Sequence, residues 1–372
     1  MIKKVSRPLL EELLDSRHTL LVAKIIESIT RKGIDGFFVT DIYNVRYLTG
    51  FSGSSGFLLI TRKETFFVTD FRYKEQAEGE VKGWDIIVGK GDMIKTIKNL
   101  SKKTGIKKLG LELSITYEFY RRLSNSGLNL MVFKKFIERL REIKDAIEIN
   151  FIWEAVRRAE TAFLEVKPYI KQRVTERAIA LRLEERLKKR GCRYIPFDII
   201  VASGTNSAMP HAKPTEKKLN TGDLVVIDWG GEAYGYFSDM TRTLLIEGDN
   251  TTSKKKEIYQ VVLKANKTAV SRVLPGVKSK DIDFSAREVI KRAGYGEFFR
   301  HGTGHGVGLQ VHEYPYIKWD EREIIKENMV FTIEPGIYMP GLGGVRIEDI
   351  VMPKQNGHVV LTSLPKELDI IR

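Results

Sequence analysis

The stretch VVIDWGGEAYGYFSDMTRT, residues 225–243, decides the fold. Its first half is an apolar run that ends in Asp228, where strand propensity disfavours an aspartate. Its second half resumes a strand-like pattern around Asp239. EAYG (232–235) lies between as a turn signal. A hairpin folded on that turn puts Asp228 directly opposite Asp239, with Cβ atoms about 4.5–5.5 Å apart. Like charges at that separation repel unless something positive stands between them.

The same pattern recurs in FTIEPGIYMPGLGGVRIED (331–349). Glu334 and Glu348 are equidistant from Gly341 and face each other across a second expected hairpin. A third block, HGTGHGVGLQVHEYP (301–315), holds half of the chain's six histidines, with glycines at 302, 304, 306 and 308. These glycines permit close backbone approach and bring a histidine against the acids. The block is not a phosphate cradle, because Val307 breaks G-x-G-x-x-G, nor a helical zinc motif, because Tyr316 stands where a second histidine is needed. No G-x-S-x-G elbow supports a serine nucleophile.

Either acid pair alone fits a proton-sharing dyad or two solvated surface acids. Two pairs beside a histidine cluster point to metal. Four carboxylates balance two divalent cations, with one neutral imidazole as a fifth ligand. Oxygen and nitrogen donors without thiolate suit Mn, Co, Zn or Fe. Paired ions roughly 3.5–4 Å apart activate water and polarise a carbonyl, so the expected chemistry is hydrolysis.

Composition sets the frame. A chain of 372 residues predicts two domains, and 42% hydrophobic with 30% charged residues is a globular composition. The N-terminal MIKKVSRPLLEELLDS lacks the apolar block of a secretory signal, and no run is long enough for a membrane span. One cysteine, Cys192, rules out an internal disulfide and suits a cytoplasmic setting. The net charge of +14 is spread in short lysine runs between acids, without a nucleic-acid motif, so neither nucleic acid nor membrane is an expected partner. Helical periodicity covers 8–33, 146–170, 175–191 and two stretches within 254–294, interleaved with strand patterns, which predicts an α+β fold.

The four blocks VVIDWGGEAYGYFSDMTRT, HGTGHGVGLQVHE, FTIEPGIY and GGVRIED resemble the pita-bread metallopeptidases, the superfamily of methionine aminopeptidase, aminopeptidase P, prolidase and creatinase. The resemblance implies a creatinase-like α/β domain over 1–136 and a pita-bread catalytic domain of two pseudo-symmetric halves over 137–372. It implies that Asp228 binds one metal ion, His305 and Glu334 bind the other, and Asp239 and Glu348 bridge them. Glu334 would also take a proton from the nucleophilic water, His312 would hydrogen-bond near the scissile amide, and His211 would stabilise the oxyanion. His301 resembles a further site histidine of proline-specific members, and Arg346 would tie up a bridging carboxylate or contact substrate. The remaining histidines, His18 and His358, are expected at the surface.

The segments VTDIYNVRYLTGFSGSSGFLLI and VTDFRYKEQAE resemble the N-terminal domains of aminopeptidase P and prolidase. The implied activity is a dinuclear-metal exopeptidase that cleaves the bond before proline by a metal-bridging hydroxide, as an Xaa-Pro aminopeptidase or dipeptidase. Its substrates would be short peptides with proline second, its metal foremost manganese, and its assembly a homodimer. The other reading is a non-catalytic binding protein on the same fold.

Overall fold

The computed structural model describes residues 7–248 and 252–372. Backbone contacts group the chain into two compact units, Met1–Arg141 and Glu142–Arg372.

The first unit is built on one mixed sheet. Its strands are β1 (Gly36–Val39), β2 (Phe57–Thr61), β3 (Thr65–Thr69), β4 (Asp85–Val88), β5 (Lys108–Glu112) and β6 (Asn129–Phe133), ordered β4-β3-β2-β1-β5-β6. The strands GFFV, FLLIT and TFFVT are near-continuous apolar runs and are buried almost throughout, as expected of central strands. The helices are α1 (Arg7–Arg31), α2 (Ile42–Thr49), α3 (Lys74–Glu80), α4 (Met93–Lys103) and α5 (Tyr117–Ser124). The segment IYNVRYLT forms an eight-residue helix, because Asp41 caps its first amides and Gly50, at φ 77°, ends it. Phe38, Leu59, Phe66, Ile97 and Leu109 belong to the core of this unit.

A short helix, α6 (Glu138–Glu142), leads to α7 (Ala146–Val166), which opens on a capping box between Asp145 and Glu148. Helix α7 packs on the short strands β9 (Glu232–Ala233) and β10 (Tyr236–Phe237) and, through Phe163 stacked on Trp229, on β8 (Leu224–Trp229), while α8 (Glu176–Lys189) packs on β7 (Ile200–Ser203); β11 (Met240–Ile246) pairs with β8. The helices α9 (Ser253–Ser271) and α10 (Ser279–Arg292) pack on each other. They also touch the second group of strands, β12 (Gly304–Gly306), β13 (Glu313–Ile317), β14 (Phe331–Ile333), β15 (Gly336–Met339), β16 (Gly343–Arg346), β17 (Asp349–Lys354) and β18 (Gly357–Val360). β19 (Asp369–Ile371) returns to pair with β11. The larger sheets run β19-β11-β8-β7 and β13-β12-β14-β17-β18, and β15-β16 forms a separate ribbon. Each larger sheet thus has its own helix pair. Among the described residues, no helix is long and apolar enough to cross a membrane.

Candidate metal centre

Asp228 sits near the end of β8, and Asp239 immediately precedes β11. The hairpin between them is centred one place later than the sequence pattern suggests. Tyr234 and Gly235 occupy its turn at φ 55° and 86°, and Ala233 pairs with Tyr236. Positive φ at both central residues is the geometry that matches strand twist. Asp228 therefore opposes Thr241, not Asp239. The shift moves the pairing by two residues, so both aspartates keep the same face of the hairpin and meet on the diagonal. The glycine pair after Trp229 is needed here, since a Cβ on Gly230 would lie 2.1 Å from the Ser238 carbonyl.

The second hairpin has the register expected from Gly341. Gly336 pairs with Arg346 and Ile333 with Asp349, so Glu334 and Glu348 face each other at the step between. By strand alternation Glu334, Tyr338, Arg346 and Glu348 share one face.

His305 lies in β12, pressed between two strands. A Cβ on Gly304 would fall 1.9 Å from the Thr332 carbonyl, and one on Gly306 2.2 Å from the Tyr314 carbonyl. The glycines flanking His305 are thus a packing requirement. The His305 Nε2 stands 3.3 Å from Glu334 Oε1 and 3.6 Å from Asp239 Oδ2. Its Nδ1 is 3.2 Å from the Gly306 carbonyl, which can only accept, so Nδ1 carries a proton. Burial lowers the pKa of the ring, but Glu334 outweighs it and raises the value, so without an ion Nε2 is also protonated and donates to Glu334.

These groups form overlapping donor sets. Donor atoms of Asp228, Asp239 and Glu348 lie within 4.8 Å of one another, and so do those of His305, Glu334 and Glu348. A third set joins Asp239, His305 and His312. The residues fit divalent cations on physical grounds. Asp228 Oδ1 and Asp239 Oδ1 are buried without a hydrogen-bond partner, a costly state for a carboxylate that nothing neutralises. Burial, then the charges of Glu348 and Asp228, push the Asp239 carboxyl well above its usual range. Burial, then Glu334 and Asp228, do the same to Glu348. Burial also raises Asp228 against the pull of Arg346. Burial works against Glu334 too, but the His305 hydrogen bond and charge outweigh it and hold Glu334 at about 2.

Arg346 is 4% exposed and is fully engaged. It donates to Asp228 Oδ2 at 2.6 Å, Thr241 Oγ1 at 3.0 Å, Tyr338 Oη at 2.9 Å and the Pro210 carbonyl at 3.1 Å. Its ion pair is with Asp228, neither with the expected bridging acid Glu348 nor with Asp349. Asp349 instead pairs with Arg242 and Lys366 at 2.9 and 2.8 Å. Arg346 reaches Glu348 only through Thr241, whose hydroxyl donates to Glu348 Oε2.

His301 is placed by α10. Arg287, paired with Asp283, donates to the carbonyls of Phe299 and His301, and Asp283 accepts from Thr303. The His301 Nδ1 is 2.7 Å from the Gly302 carbonyl and its Nε2 is 3.0 Å from Tyr338 Oη. The carbonyl fixes the proton on Nδ1, so Tyr338 donates to Nε2 while accepting from Arg346. Burial lowers the His301 pKa and lifts Tyr338 to about 12, so both rest neutral. His312 sets its ring 4.1 Å from that of His305 and tilted by 58°, and partial burial followed by His305 repulsion brings its pKa down to about 4.

A cleft of about 470 Å³ gathers all nine expected site residues, including the exposed His211 and His312. His18 and His358 are half-buried and do not line it. Tyr338, Thr241 and Thr332, which donates to Glu334 Oε1 at 3.1 Å, escaped the sequence reading. Alternation on the Gly341 hairpin could have found Tyr338. Tyr316, Lys213 and Lys318 also line the cleft.

Comparison with known proteins agrees with this geometry. Residues 150–354 match the profile of metallopeptidase family M24, and residues 22–143 match the creatinase/prolidase N-terminal domain. An Xaa-Pro dipeptidase of Pyrococcus horikoshii is 39% identical over 93% of this chain and 98% of its own length. The structure of an Xaa-Pro dipeptidase from Bacillus anthracis superposes with a TM-score of 0.91 at 38% identity, over 95% of this chain and all of that one. An X-Pro aminopeptidase from Thermotoga maritima gives 0.84 at 37%, over 91% and 98%. With its buried acid-and-imidazole cluster carried on a matching catalytic unit, the chain belongs to metallopeptidase family M24, preceded by a creatinase/prolidase N-terminal domain.

Proposed function

We propose that this chain is a metal-dependent exopeptidase that hydrolyses the peptide bond before proline in short peptides. The observation that carries the reading is the pair of three-donor sets sharing Glu348, one of which holds two buried carboxylate oxygens, Asp228 Oδ1 and Asp239 Oδ1, without a hydrogen-bond partner. The dipeptidase and aminopeptidase relatives support the proline specificity. Asp228, Asp239 and Glu348 would hold one divalent ion, and His305, Glu334 and Glu348 the other, with Asp239 close enough to His305 to serve both. The oxygen-rich donors favour manganese. Bound ions supply Lewis acidity toward the scissile carbonyl and the attacking water.

The chain's own groups do the rest. Glu334, ionised across the neutral range, accepts a proton from water. His312, open to the cleft and neutral, hydrogen-bonds the substrate backbone beside the scissile bond. His211 at the rim meets the developing oxyanion. His301, held neutral in one tautomer, presents a fixed ring edge to the substrate. Arg346 fixes Asp228 through Oδ2 and leaves Oδ1 for the ion. Proline has no amide N–H, so a site that works on the carbonyl loses nothing by its absence. The unpaired, buried Cys192 suits a reducing cytoplasmic setting.

The test is hydrolysis of Xaa-Pro dipeptides and Xaa-Pro-Xaa tripeptides, with Xaa-Ala controls, by protein reloaded with Mn, Co or Zn. Ion-dependent cleavage confined to the proline substrates is expected, and the ratio of the two lengths assigns the branch. A chain that retains no divalent ion at neutral pH would be a binding protein on this fold.

A further inference from the structure

The backbone changes partners where the two facing glutamates sit. β14 and β17 pair within the larger sheet, while β15 and β16 form their own ribbon, yet one register runs through both. At the join the amides turn outward: Glu334 N–H donates to the Thr303 carbonyl at 2.7 Å and Glu348 N–H to the Thr241 carbonyl at 3.1 Å. No backbone bond ties the two glutamates to each other. Next to them, Ile347 donates to the Pro335 carbonyl, but Pro335 has no N–H to return to the Ile347 carbonyl. The Pro335/Ile347 pair thus makes one bond, at 3.5 Å, where a regular ladder makes two, and the Ile347 carbonyl is left without its strand partner.

A side chain from α9 fills this gap. Asn266 is 0% exposed, and its amide nitrogen donates to the Ile333 carbonyl at 3.0 Å and the Ile347 carbonyl at 3.2 Å. Each carbonyl belongs to the residue just before a glutamate. The amide orientation is forced, because Lys366 donates to Asn266 Oδ1 at 3.0 Å. Lys366 also pairs with Asp349, which pairs with Arg242, and Arg242 donates to the Glu348 carbonyl at 2.6 Å. This buried chain grips Glu348 on both sides of its peptide unit. Asn266 does not line the cleft.

We propose that Asn266 is a positioning residue whose amide spans the two strands and sets the spacing of Glu334 and Glu348, and with it the affinity of the site for a second divalent ion. The proposal rests on the assignment of both glutamates as ion ligands. Partners beyond the ligands typically alter metal affinity by 10–100-fold.

The experiment uses the full chain stripped of metal and titrated with cobalt(II), followed by visible absorption and calorimetry. Asn266→Leu keeps the size of the side chain and removes both donors; Asn266→Ala leaves room for water and is read by the same criteria should the leucine variant not fold. Val262→Ala, a buried change on the same helix at a side chain with no donor for either carbonyl, controls for lost stability. The unsubstituted chain should bind two ions. Asn266→Leu should weaken one of them by about 10–100-fold and alter the cobalt bands, while Val262→Ala should bind as the unsubstituted chain does. Equal affinities and spectra for Asn266→Leu and the unsubstituted chain, or an equal loss in Val262→Ala, would overturn the clamp alone. Failure of the unsubstituted chain to bind cobalt would overturn the ligand assignment itself.

Discussion

Glu348 is tied twice to Thr241: its amide donates to the Thr241 carbonyl at 3.1 Å, and its Oε2 accepts from the Thr241 hydroxyl at 2.7 Å. Both strands therefore hold the one acid common to the two principal donor sets. Glu348→Gln keeps an acceptor for Thr241 and removes one negative charge. We expect retention of at least one ion fewer and a fall in kcat of roughly 10²–10³-fold, the scale seen when a main electrostatic group is lost. The metal-stripped protein should respond in the opposite sense. Burial and its acidic neighbours push the Glu348 pKa up, so ionising it costs stability as pH rises. Stripped Glu348→Gln should thus melt above the stripped parent at pH 8. A lower melting temperature there would show that the acids do not repel.

Gly304 has the tightest surroundings of any glycine in the histidine block, with the Thr332 carbonyl 1.9 Å from where a Cβ would stand. Its neighbour strand is backbone and cannot swing aside. Gly304→Ala should therefore separate β12 from β14 and displace His305, lowering stability by about 3 kcal/mol or more and abolishing ion retention. Gly341 is the control. It sits at φ 82° with open space around it, so Gly341→Ala should cost only about 1 kcal/mol and leave ion content unchanged. Thermal melts with metal analysis compare the two.

The acid pairs differ in how plainly the chain announces them. Glu334 and Glu348 are readable because the turn around Gly341 fixes one register over a long hairpin. Asp228 and Asp239 are not, because EAYG and AYGY both look like turns, and the choice depends on Tyr234 accepting φ 55°. Alternation rescued the conclusion, since a two-residue error preserves the face. Helix ends followed from caps such as Asp41 and Asp145. The partner of Arg346 was not readable, because three carboxylates lie within its reach on paper and only packing selects Asp228. Asn266 sits in mid-helix, with no local sign that it serves strands more than sixty residues away.

Lys144 and Glu313 form an ion pair at 2.7 Å with side chains 1% and 7% exposed. They are 169 residues apart in sequence, and Glu313 follows His312 directly. Removing one partner strands a buried charge, which typically costs about 3–5 kcal/mol. Lys144→Met should lower stability on that scale and reduce kcat by loosening the segment that carries His312. Adding Glu313→Leu should recover much of the stability, because two apolar groups replace a desolvated pair, but not the kcat. A double-mutant cycle on melting temperature and kcat separates the two effects. Additive stability losses would mean the pair is not coupled.

Glu112 closes β5 in the first unit and accepts from the amides of Thr40 and Asp41 and from Asn44 Nδ2 at 2.6, 2.9 and 2.8 Å. Burial outweighs these donors and lifts its pKa to about 7 from the ordinary 4.5. The folded state then holds a proton that the unfolded chain releases. Below pH 4.5 both states are protonated and Glu112 does not tilt the balance. Between about 4.5 and 7 its contribution declines as pH rises, by at most about 1.4 kcal/mol per unit, and above 7 the loss is complete. Glu112→Gln does not titrate, so the difference in unfolding free energy between it and the parent should change across pH 4.5–7 and stay flat from 7.5 to 9. Denaturant melts at half-unit steps, on metal-loaded protein of both forms, measure that difference. A flat difference across the acid range would mean that the three donors, not burial, govern the carboxyl.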